Sequence, residues 1–254
     1  MEFIIFLLAV LILFTLFMIK QAFENNIREH SVRIYGDVTE QLRIFFISDV
    51  HLREINSDMI RKINTADAVI IGGDFCDGRT SFERIKYNTA LLQTLGPVYF
   101  VWGNNDHEVG EIRLRKFFSQ VGVEIIENSA QLLQSKNRVW LSAINDTSTM
   151  KYDFEKAFKK CGKEDITIFV SHNPQIFYRV KNYFKPQLMM GGHLHGGQIR
   201  FWKFGVHPHG SFSLRDGIPT LISNGYGTTL VPVRLGAKPE CHIITIEIEQ
   251  NTPK

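Results

Sequence analysis

The chain has 254 residues, of which 44% are hydrophobic and 22% are charged, and its formal net charge is +3. This length and composition are enough for one sizeable domain with a full core, and the near balance of charge gives no reason to expect a nucleic-acid-binding protein. The cysteines, Cys76, Cys161 and Cys241, are widely spaced and form no CxxC pair. A disulfide framework or structural zinc knuckle is therefore not expected, and the cysteines favour a reducing compartment.

The N-terminal segment is the first predicted element. The stretch Phe3–Ile19 contains no charge, glycine or proline, and as a helix it would be about 26 Å long, close to the roughly 30 Å hydrocarbon core of a bilayer. A signal peptide would begin with basic residues and end at a small-residue cleavage site, whereas this chain begins Met1-Glu2 and continues with Lys20 after the stretch. A buried core helix is rarely apolar on all sides. We therefore predict a single transmembrane anchor over residues 1–20.

The charges beside this segment bear on its orientation. Lys20, Arg28 and Arg33 follow the apolar stretch, and no basic side chain precedes it. By the positive-inside rule, this asymmetry predicts that the rest of the chain faces the cytoplasm. The unpaired cysteines agree with that orientation.

Strands and helices are predicted to alternate through the rest of the chain. Residues 21–42 are predicted to form a juxtamembrane link with a first short strand, VRIYG, and an α/β domain with several continuous apolar runs follows over residues 43–250. The runs, which end in Gly or Ser as buried strands often do, are RIFFIS, AVIIGG, VYFVWG, ITIFVS and QLMMGG. Helical spacing between them is found in NSDMIRKINTA, TSFERIKYNTALLQTL and EIRLRKFFSQVG. Further strands are indicated by RVWLSAI, IPTLISNG and CHIITIEIE, so the pattern predicts an α/β fold.

Each of the five apolar runs leads directly into side chains that can bind metal ions. In chain order these are Asp49 and His51, Asp74, Asn104 to Asp106, His172, and His193 with His195. The carboxyl ends of strands in open α/β sheets form the ligand crevice. Turn chemistry explains an occasional Asp or Asn there, but it does not explain five successive strand ends with histidine at three. Carboxylate, amide and imidazole ligands suit a pair of divalent ions about 3.5–4 Å apart.

The order D-x-H, G-G-D, G-N-x-D, S-H and G-G-H-x-H-G-G resembles that of the calcineurin-like metallophosphoesterase superfamily over roughly residues 43–248. The stretch SNGYGTTLVPVRLGAKPECHIITI is similar to the ending of the membrane-associated bacterial branch of that superfamily. The resemblance implies a four-layer α-β-β-α sandwich behind the N-terminal transmembrane helix. It also implies hydrolysis of phosphodiester or pyrophosphate bonds by a hydroxide that bridges two metal ions.

The same resemblance implies a role for each matched residue. The first metal ion would be held by Asp49, His51 and His195, the second by Asn104, His172 and His193, and both by Asp74. Manganese is the first expectation, because these ligands with bound water suit octahedral ions, and iron or zinc are the alternatives.

The chain departs from the family pattern in its third block. Many members have His directly after the Asn, where it is thought to donate a proton or steady the leaving group, but Asn105 stands here, and an amide is not a general acid at pH 7. The candidate catalytic residues are Asn104, Asp106, which would orient its neighbours, and His107, which is either a substitute donor or a surface histidine. Such a site favours substrates with good leaving groups. Candidate phosphate clamps, each otherwise a surface residue, are Arg200, Arg215 and Arg234.

The leading expectation is a membrane-anchored phosphoesterase with a small-molecule or lipid-linked substrate and no nucleic-acid partner. A sharper alternative is a lipid-nucleotide pyrophosphohydrolase of the UDP-diacylglucosamine type. A second alternative is a non-catalytic binding protein on the same fold. A nuclease ranks lower, because the sequence has no dense basic strip for a nucleic-acid backbone.

Overall fold

A computed structural model describes residues 1–251, which contain two six-stranded β-sheets with helices on their outer faces. The first sheet consists of β1 (Asn26–Gly36), β2 (Glu40–Ile47), β3 (Ala68–Gly72), β4 (Val98–Val101), β5 (Glu124–Ile125) and β14 (Glu240–Gln250). The second consists of β6 (Ser129–Leu132), β7 (Val139–Ala143), β8 (Ile166–Val170), β9 (Leu188–Gly191), β12 (Ser211–Arg215) and β13 (Ile218–Ile222). A separate hairpin is formed by β10 (Arg200–Phe201) and β11 (Phe204–Gly205).

Residues 1–251 contain six α-helices, and local sequence signals mark one end of three of them. They are α1 (Glu2–Ala22), α2 (Ser57–Arg61), α3 (Phe82–Gln93), α4 (Glu111–Val121), α5 (Phe154–Phe158) and α6 (Phe177–Tyr183). The side chains of Asn56 and Ser81 cap α2 and α3 by accepting backbone N–H groups of the first turn. Gly122 ends α4 with a left-handed φ of 75°, which glycine adopts without steric cost. The three helices predicted from spacing are confirmed.

Apolar side chains fill three layers between and outside the sheets. In β2, Ile44 and Phe46 face the second sheet, whereas Phe45 and Ile47 face the layer that contains α2, α3 and α4. The outer face of the second sheet packs on α5 and α6. Because both faces of each sheet are covered, the strands read as continuous apolar runs and not as alternating ones. The predicted α/β sandwich with four layers is confirmed.

The strand order brings the carboxyl ends of the central strands to one edge of each sheet. In the first sheet, whose order is β1-β14-β2-β3-β4-β5, the strands β2, β3 and β4 are parallel, while β14 runs antiparallel to β2. In the second sheet, whose order is β12-β13-β9-β8-β7-β6, the strands β7, β8 and β9 are parallel. We call the side of the molecule where β2, β3, β4, β8 and β9 end the carboxyl edge.

Helix α1 runs out of this edge and is long and apolar enough to cross a membrane. Only its last residues are buried, and it is tied to the chain near β14 by the Arg234 N–H, which donates to Met18 O over 3.1 Å. Strand β1 follows closely and pairs in parallel with β14 along its whole length. This strand is longer than the predicted VRIYG segment. Its first half, NIREHS, has the polar composition of an edge strand and therefore lacks an apolar run.

Because Phe46 lies in the layer between the sheets and Tyr35 is exposed, we expect their replacement by alanine to change the free energy of unfolding by very different amounts. Phe46→Ala removes a fully buried ring, and we expect it to lower the free energy of unfolding by about 3–5 kcal/mol. Tyr35→Ala, at an exposed position on β1, is the matched control and should change it by less than about 0.5 kcal/mol. Urea unfolding of the detergent-solubilised chain, followed by circular dichroism, measures both. Equal losses for the two variants would contradict the layer assignment.

Candidate metal centre

The first group of candidate ligands joins the ends of β2 and β9. Asp49 and His51 follow β2, His195 follows β9, and all three side chains are buried. The Nε2 atoms of His51 and His195 are 3.2 Å apart, and His195 Nε2 is 3.3 Å from Asp49 Oδ1. The His193 N–H crosses between the sheets and donates to Asp49 Oδ1 over 2.9 Å. Ring nitrogens and carboxylate oxygens thus converge on one point.

The second group joins the ends of β3, β8 and β9. Its members are Asp74, His172 and His193. His172 Nε2 lies 3.2 Å from Asp74 Oδ2 and 3.2 Å from His193 Nδ1. In each group, the candidate ligand atoms all lie within 4.8 Å of one another. That spacing is close enough for one cation to contact every member of its group.

Asp74 connects the two groups. Its Oδ2 atom lies 3.2 Å from His172 Nε2 in the second group and 3.8 Å from His51 Nε2 in the first. A single carboxylate oxygen therefore faces both sets of imidazoles. This is the position that a ligand shared by two ions requires.

Asn104 follows β4 beside these groups, and its amide is oriented. Its Nδ2 donates to Asn105 Oδ1 over 2.8 Å, while the backbone N–H of Asn105 donates to Asp74 Oδ1 over 2.8 Å. The Asn104 Oδ1 atom is buried and has no hydrogen-bond partner among residues 1–251. A buried acceptor without a donor costs free energy unless something else binds it. A divalent cation would satisfy it.

The electrostatics of the two groups differ. Burial lowers the pKa of His195 to about 3, so its imidazole is neutral and keeps the lone pair that a metal ion needs. Burial also disfavours protonation of His172, but the adjacent Asp74 carboxylate outweighs that effect and raises the pKa of His172 to about 10. Burial opposes ionisation of Asp74, yet the charges of His172 and His51 lower its pKa. A cation bound to Asp74 and His172 would replace the proton on His172 that the Asp74 carboxylate stabilises.

The donor set fits divalent metal ions. It contains carboxylates, imidazoles and one amide oxygen, and no thiolate belongs to either group. Thiolates dominate closed structural zinc sites, whereas oxygen and imidazole ligands are typical of sites that keep water or substrate positions open.

Residues 42–197 match the family model described as calcineurin-like phosphoesterase. The chain belongs to this family. An uncharacterized protein of Bacillus subtilis, YpbG, is 40% identical over 209 residues, which cover 81% of each chain. The uncharacterized metallophosphoesterase YkoQ of the same organism is 26% identical over 79% of this chain and 82% of its own. The protein is therefore a metal-dependent phosphoesterase.

Solved structures agree with the fold of this phosphoesterase. A 5'-nucleotidase precursor from Thermus thermophilus matches 81% of this chain with a TM-score of 0.52 at 12% identity. The NAD nucleotidase of Haemophilus influenzae matches 74% with a TM-score of 0.50, also at 12% identity. The matches cover 55% and 46% of those two proteins. Likeness at this identity concerns the fold alone.

Asp106 stands behind the ligand groups of the phosphoesterase and does not face solvent. Its carboxylate is completely buried and accepts the backbone N–H groups of Asp74, Cys76 and Gly103. Burial, and then the charge of Asp74, raise the pKa of Asp106, while these donated N–H groups act in the opposite direction. The contacts fit the orienting role predicted for Asp106, because they hold the backbone of Asp74 in place.

His107 packs beside the centre. Its ring stacks on Trp102 with centroids 4.6 Å apart and planes 8° apart, and its Nδ1 lies 3.5 Å from Glu111. Its Nε2 is buried and has no hydrogen-bond partner in the described part of the chain. The ring is thus more enclosed than a surface histidine, and the side chain of Asn105 is held by Glu108 over 3.0 Å.

Two of the predicted phosphate clamps have other partners. Arg234 is fully buried, and its guanidinium donates to the carbonyl oxygens of Gly227, Ala237 and Asn224. Arg200 is buried and likewise donates only to backbone carbonyls. The interpretation of these arginines as phosphate clamps is wrong, because both side chains are buried and their guanidinium groups donate to backbone carbonyls of the chain itself. Arg215 is exposed in β12.

Asp77 is a residue of the centre that the sequence pattern missed. It is buried, its Oδ2 lies 3.5 Å from His51 Nδ1, and Arg79 pairs with it over 2.9 Å. A carboxylate on the distal nitrogen of a metal-binding histidine sets its tautomer and orientation. Its spacing after Asp74 has no motif character, so only the fold places it against His51.

Most candidate ligands have strained backbone. Left-handed φ values between 49° and 70° are found at Asp49, His51, Asp74, His193 and His195. Such angles cost on the order of 1–3 kcal/mol each in residues other than glycine. The glycines of GGHLHGG serve the same tight packing: a Cβ at Gly192 would lie 2.3 Å from Asp49 Oδ2.

Strain at His193 predicts an unusual order of stability. With metal removed by a chelator, we expect His193→Gly to be more stable than His193→Ala by about 1 kcal/mol, because glycine relieves the φ of 70°. Thermal unfolding measures the difference. At the exposed position Lys116 of α4 the order should reverse, since alanine exceeds glycine by about 1 kcal/mol in a helix. Greater stability of the alanine variant at both positions would refute the strain.

Proposed function

We propose that the protein is a membrane-anchored phosphoesterase that uses two divalent metal ions to hydrolyse phosphodiester or pyrophosphate bonds. The observation that supports this most strongly is the position of Asp74 Oδ2, within 3.8 Å of imidazole nitrogens from both ligand groups. A binding protein without catalysis would have no need of two complete groups at that distance.

In this proposal each ligand group holds one ion. The first ion would be held by Asp49, His51 and His195, the second by Asn104, His172 and His193, and Asp74 would bind both. When bound, two such ions supply a nucleophile from water near neutral pH and neutralise charge on the phosphoryl oxygens. We keep manganese as the first expectation and iron or zinc as alternatives.

The remaining residues position these ligands. Asp106 holds the Asp74 backbone, and Asp77 orients His51. Asn104, besides holding the second ion, is proposed as a catalytic residue, and His107 as the candidate proton donor, since Asn104 Oδ1 and His107 Nε2 are both buried without a hydrogen-bond partner among residues 1–251. The Asn105 amide cannot donate a proton to a leaving group at pH 7. In this proposal, protonation of the leaving group is therefore the weakest contribution to catalysis.

The N-terminal part of the chain supports attachment to the cell membrane. We propose that residues 1–20 cross the membrane once, that residues 21–42 form a juxtamembrane link with the first strand, and that the hydrolase domain spans residues 43–250 and faces the cytoplasm. The helix that supports this proposal, α1, is exposed over nearly its whole length. The substrate is then a small-molecule phosphoester or a lipid-linked one. A lipid-nucleotide pyrophosphate of the UDP-diacylglucosamine type is the lipid-linked alternative, and the anchor favours it.

Replacing the shared carboxylate tests the two-metal proposal. We expect Asp74→Asn to lower kcat/KM for bis-p-nitrophenyl phosphate by about 100-fold or more, because the amide is a poor bridge between two cations. Metal content, measured by mass spectrometry after loading with manganese, should fall below two ions per chain. The fold should survive, because Asn tolerates the left-handed φ of 50° at this position.

Asp216→Asn is the matched control. Asp216 is an exposed carboxylate that also pairs with a cation, Lys181, and its loss should leave both activity and metal content unchanged. Full activity of Asp74→Asn would contradict the proposal. Inactivity of the folded, manganese-loaded unmutated protein toward every phosphoester in a broad panel would favour the non-catalytic alternative.

The absence of histidine at Asn105 predicts a preference for good leaving groups. We expect the ratio of kcat for an aryl phosphodiester to kcat for the matching alkyl diester to be larger in the unmutated protein than in Asn105→His. The introduced imidazole can protonate an alkoxide leaving group and would therefore speed up the alkyl ester. Turnover of both esters by both proteins measures the ratio. An unchanged ratio would mean that leaving-group protonation does not depend on this position.

A further inference from the structure

An exposed apolar cluster lies on the segment that follows the candidate ligands. It comprises Phe201, Trp202 and Phe204 in the β10–β11 hairpin and Val206 directly after it, with exposures of 67%, 85%, 69% and 80%, and Leu230 at 81%. Single exposed apolar residues are ordinary on protein surfaces, but contiguous clusters mark interaction sites. We call these five residues the interface patch.

The hairpin is held rigid from within. Arg200 is buried, and its guanidinium donates to the carbonyl oxygens of Trp202 and Lys203 in the turn. It also donates to Gly196 O and His207 O at the base, over 2.6 and 3.0 Å. Because Arg200 binds four carbonyl oxygens, it fixes the tip of the hairpin, and the aromatic rings of the hairpin are left exposed. The hairpin is therefore a rigid element that displays apolar side chains to its surroundings.

Leu230 is tied to the same hairpin. The side chain of Gln198 accepts the Thr229 N–H over 2.9 Å and donates to the carbonyl oxygens of Thr229 and Val231. Gln198 lies three residues after His195 and two before Arg200. The two parts of the interface patch and the metal centre are thus one connected structure.

The interface patch is also tied to the end of α1. The Arg200 N–H donates to Leu235 O over 2.8 Å, and the next residue, Gly236, donates its N–H to Gln21 Oε1 over 2.9 Å. An apolar groove of about 150 Å³ is lined by Ala22, Phe23, Leu52, Leu230 and Pro232, together with Arg53, Arg79 and Thr228. A mostly apolar groove, with Arg53, Arg79 and Thr228 in its wall, therefore connects the end of the anchor with Leu230.

The geometry points to a second contact with the membrane: the interface patch enters the headgroup layer of the same bilayer that α1 crosses. This inference rests on the proposed anchoring by α1. Trp and Phe side chains are enriched in that layer, and Lys203 at the tip of the hairpin can extend its ammonium to lipid phosphates. The carboxyl edge, with the metal centre, then faces the bilayer surface.

Tryptophan fluorescence in lipid vesicles tests this contact on the full chain. The chain contains Trp102, which is fully buried, Trp140, which is partly buried, and Trp202. Phosphatidylcholine brominated at acyl carbons near the headgroup quenches nearby indoles. We expect brominated vesicles to remove about half or more of the Trp202 emission, as for an indole buried about 5–10 Å into the boundary layer. Trp202→Phe should abolish the difference between brominated and ordinary vesicles.

A displaced tryptophan serves as the matched control. In the Trp202→Phe background, Tyr35→Trp places an indole at an exposed position nine residues along β1 from Asn26, which is about 30 Å from the carboxyl edge. Its emission should be the same in both kinds of vesicle. Flotation of the vesicles on a density gradient, run in parallel, reports anchoring by α1.

The outcomes separate the two membrane contacts. Flotation with quenching that depends on Trp202 supports the inference. Flotation with equal emission in both vesicles, or with equal quenching of Trp202 and of Trp at position 35, overturns it and leaves the anchor intact. Absence of the protein from the floated vesicle fraction overturns both the anchoring by α1 and the membrane contact of the interface patch, because neither then binds the bilayer.

Discussion

One carboxylate oxygen, Asp74 Oδ2, is the point on which both ligand groups depend. It can face His51 and His172 together only because the carboxyl ends of strands from two different sheets meet. Asp74 is fixed from behind by Asp106, which accepts its backbone N–H, and its own carbonyl accepts the Val50 N–H. The centre is thus locked into the sheets by main-chain hydrogen bonds, and the stiffness of the sandwich is transferred to the ligands.

Convergence of this kind has a cost in backbone strain. Residues that leave a strand and turn at once toward a common point adopt left-handed angles, and five candidate ligands do so. Strained backbone persists only where the surrounding structure determines it. The continuous apolar layers on both faces of the sheets provide that support, since residues such as Phe46 and Ile44 have no exposed surface. Bound cations would add to it by drawing the ligands together.

Three further elements lie at the carboxyl edge beside the candidate metal ligands. The C-terminal end of α1, the β10–β11 hairpin and the loop that carries Leu230 all attach there, through Arg200, Gln198 and the backbone near Arg234. Under the anchoring by α1 proposed above, the candidate metal centre would lie at the level of the lipid headgroups. In that proposal, phosphoesters that are presented at a membrane surface would reach the centre more readily than those that diffuse freely.

Much of this phosphoesterase could be predicted from its sequence. Continuous apolar runs indicated buried strands because both faces of each sheet are covered, and helical spacing of apolar residues indicated α2, α3 and α4. The side chains that follow five strands could be named before their geometry was known, because parallel strands deliver their carboxyl ends to one edge. Strand β1 was underestimated, since an edge strand carries polar residues and so lacks the apolar signal.

Only the tertiary structure decided what the candidate ligands and arginines contact. Arg234 and Arg200 have the charge expected of phosphate clamps, but burial commits their donors to backbone carbonyls. Asp77 carries no motif, yet it reaches His51 because the loop after β3 folds back onto the loop after β2. The sequence by itself determined the elements and the kinds of ligand, because these follow from local pattern. The partners of each group depend on contacts between segments far apart in the chain, and only packing of the two sheets determines those contacts.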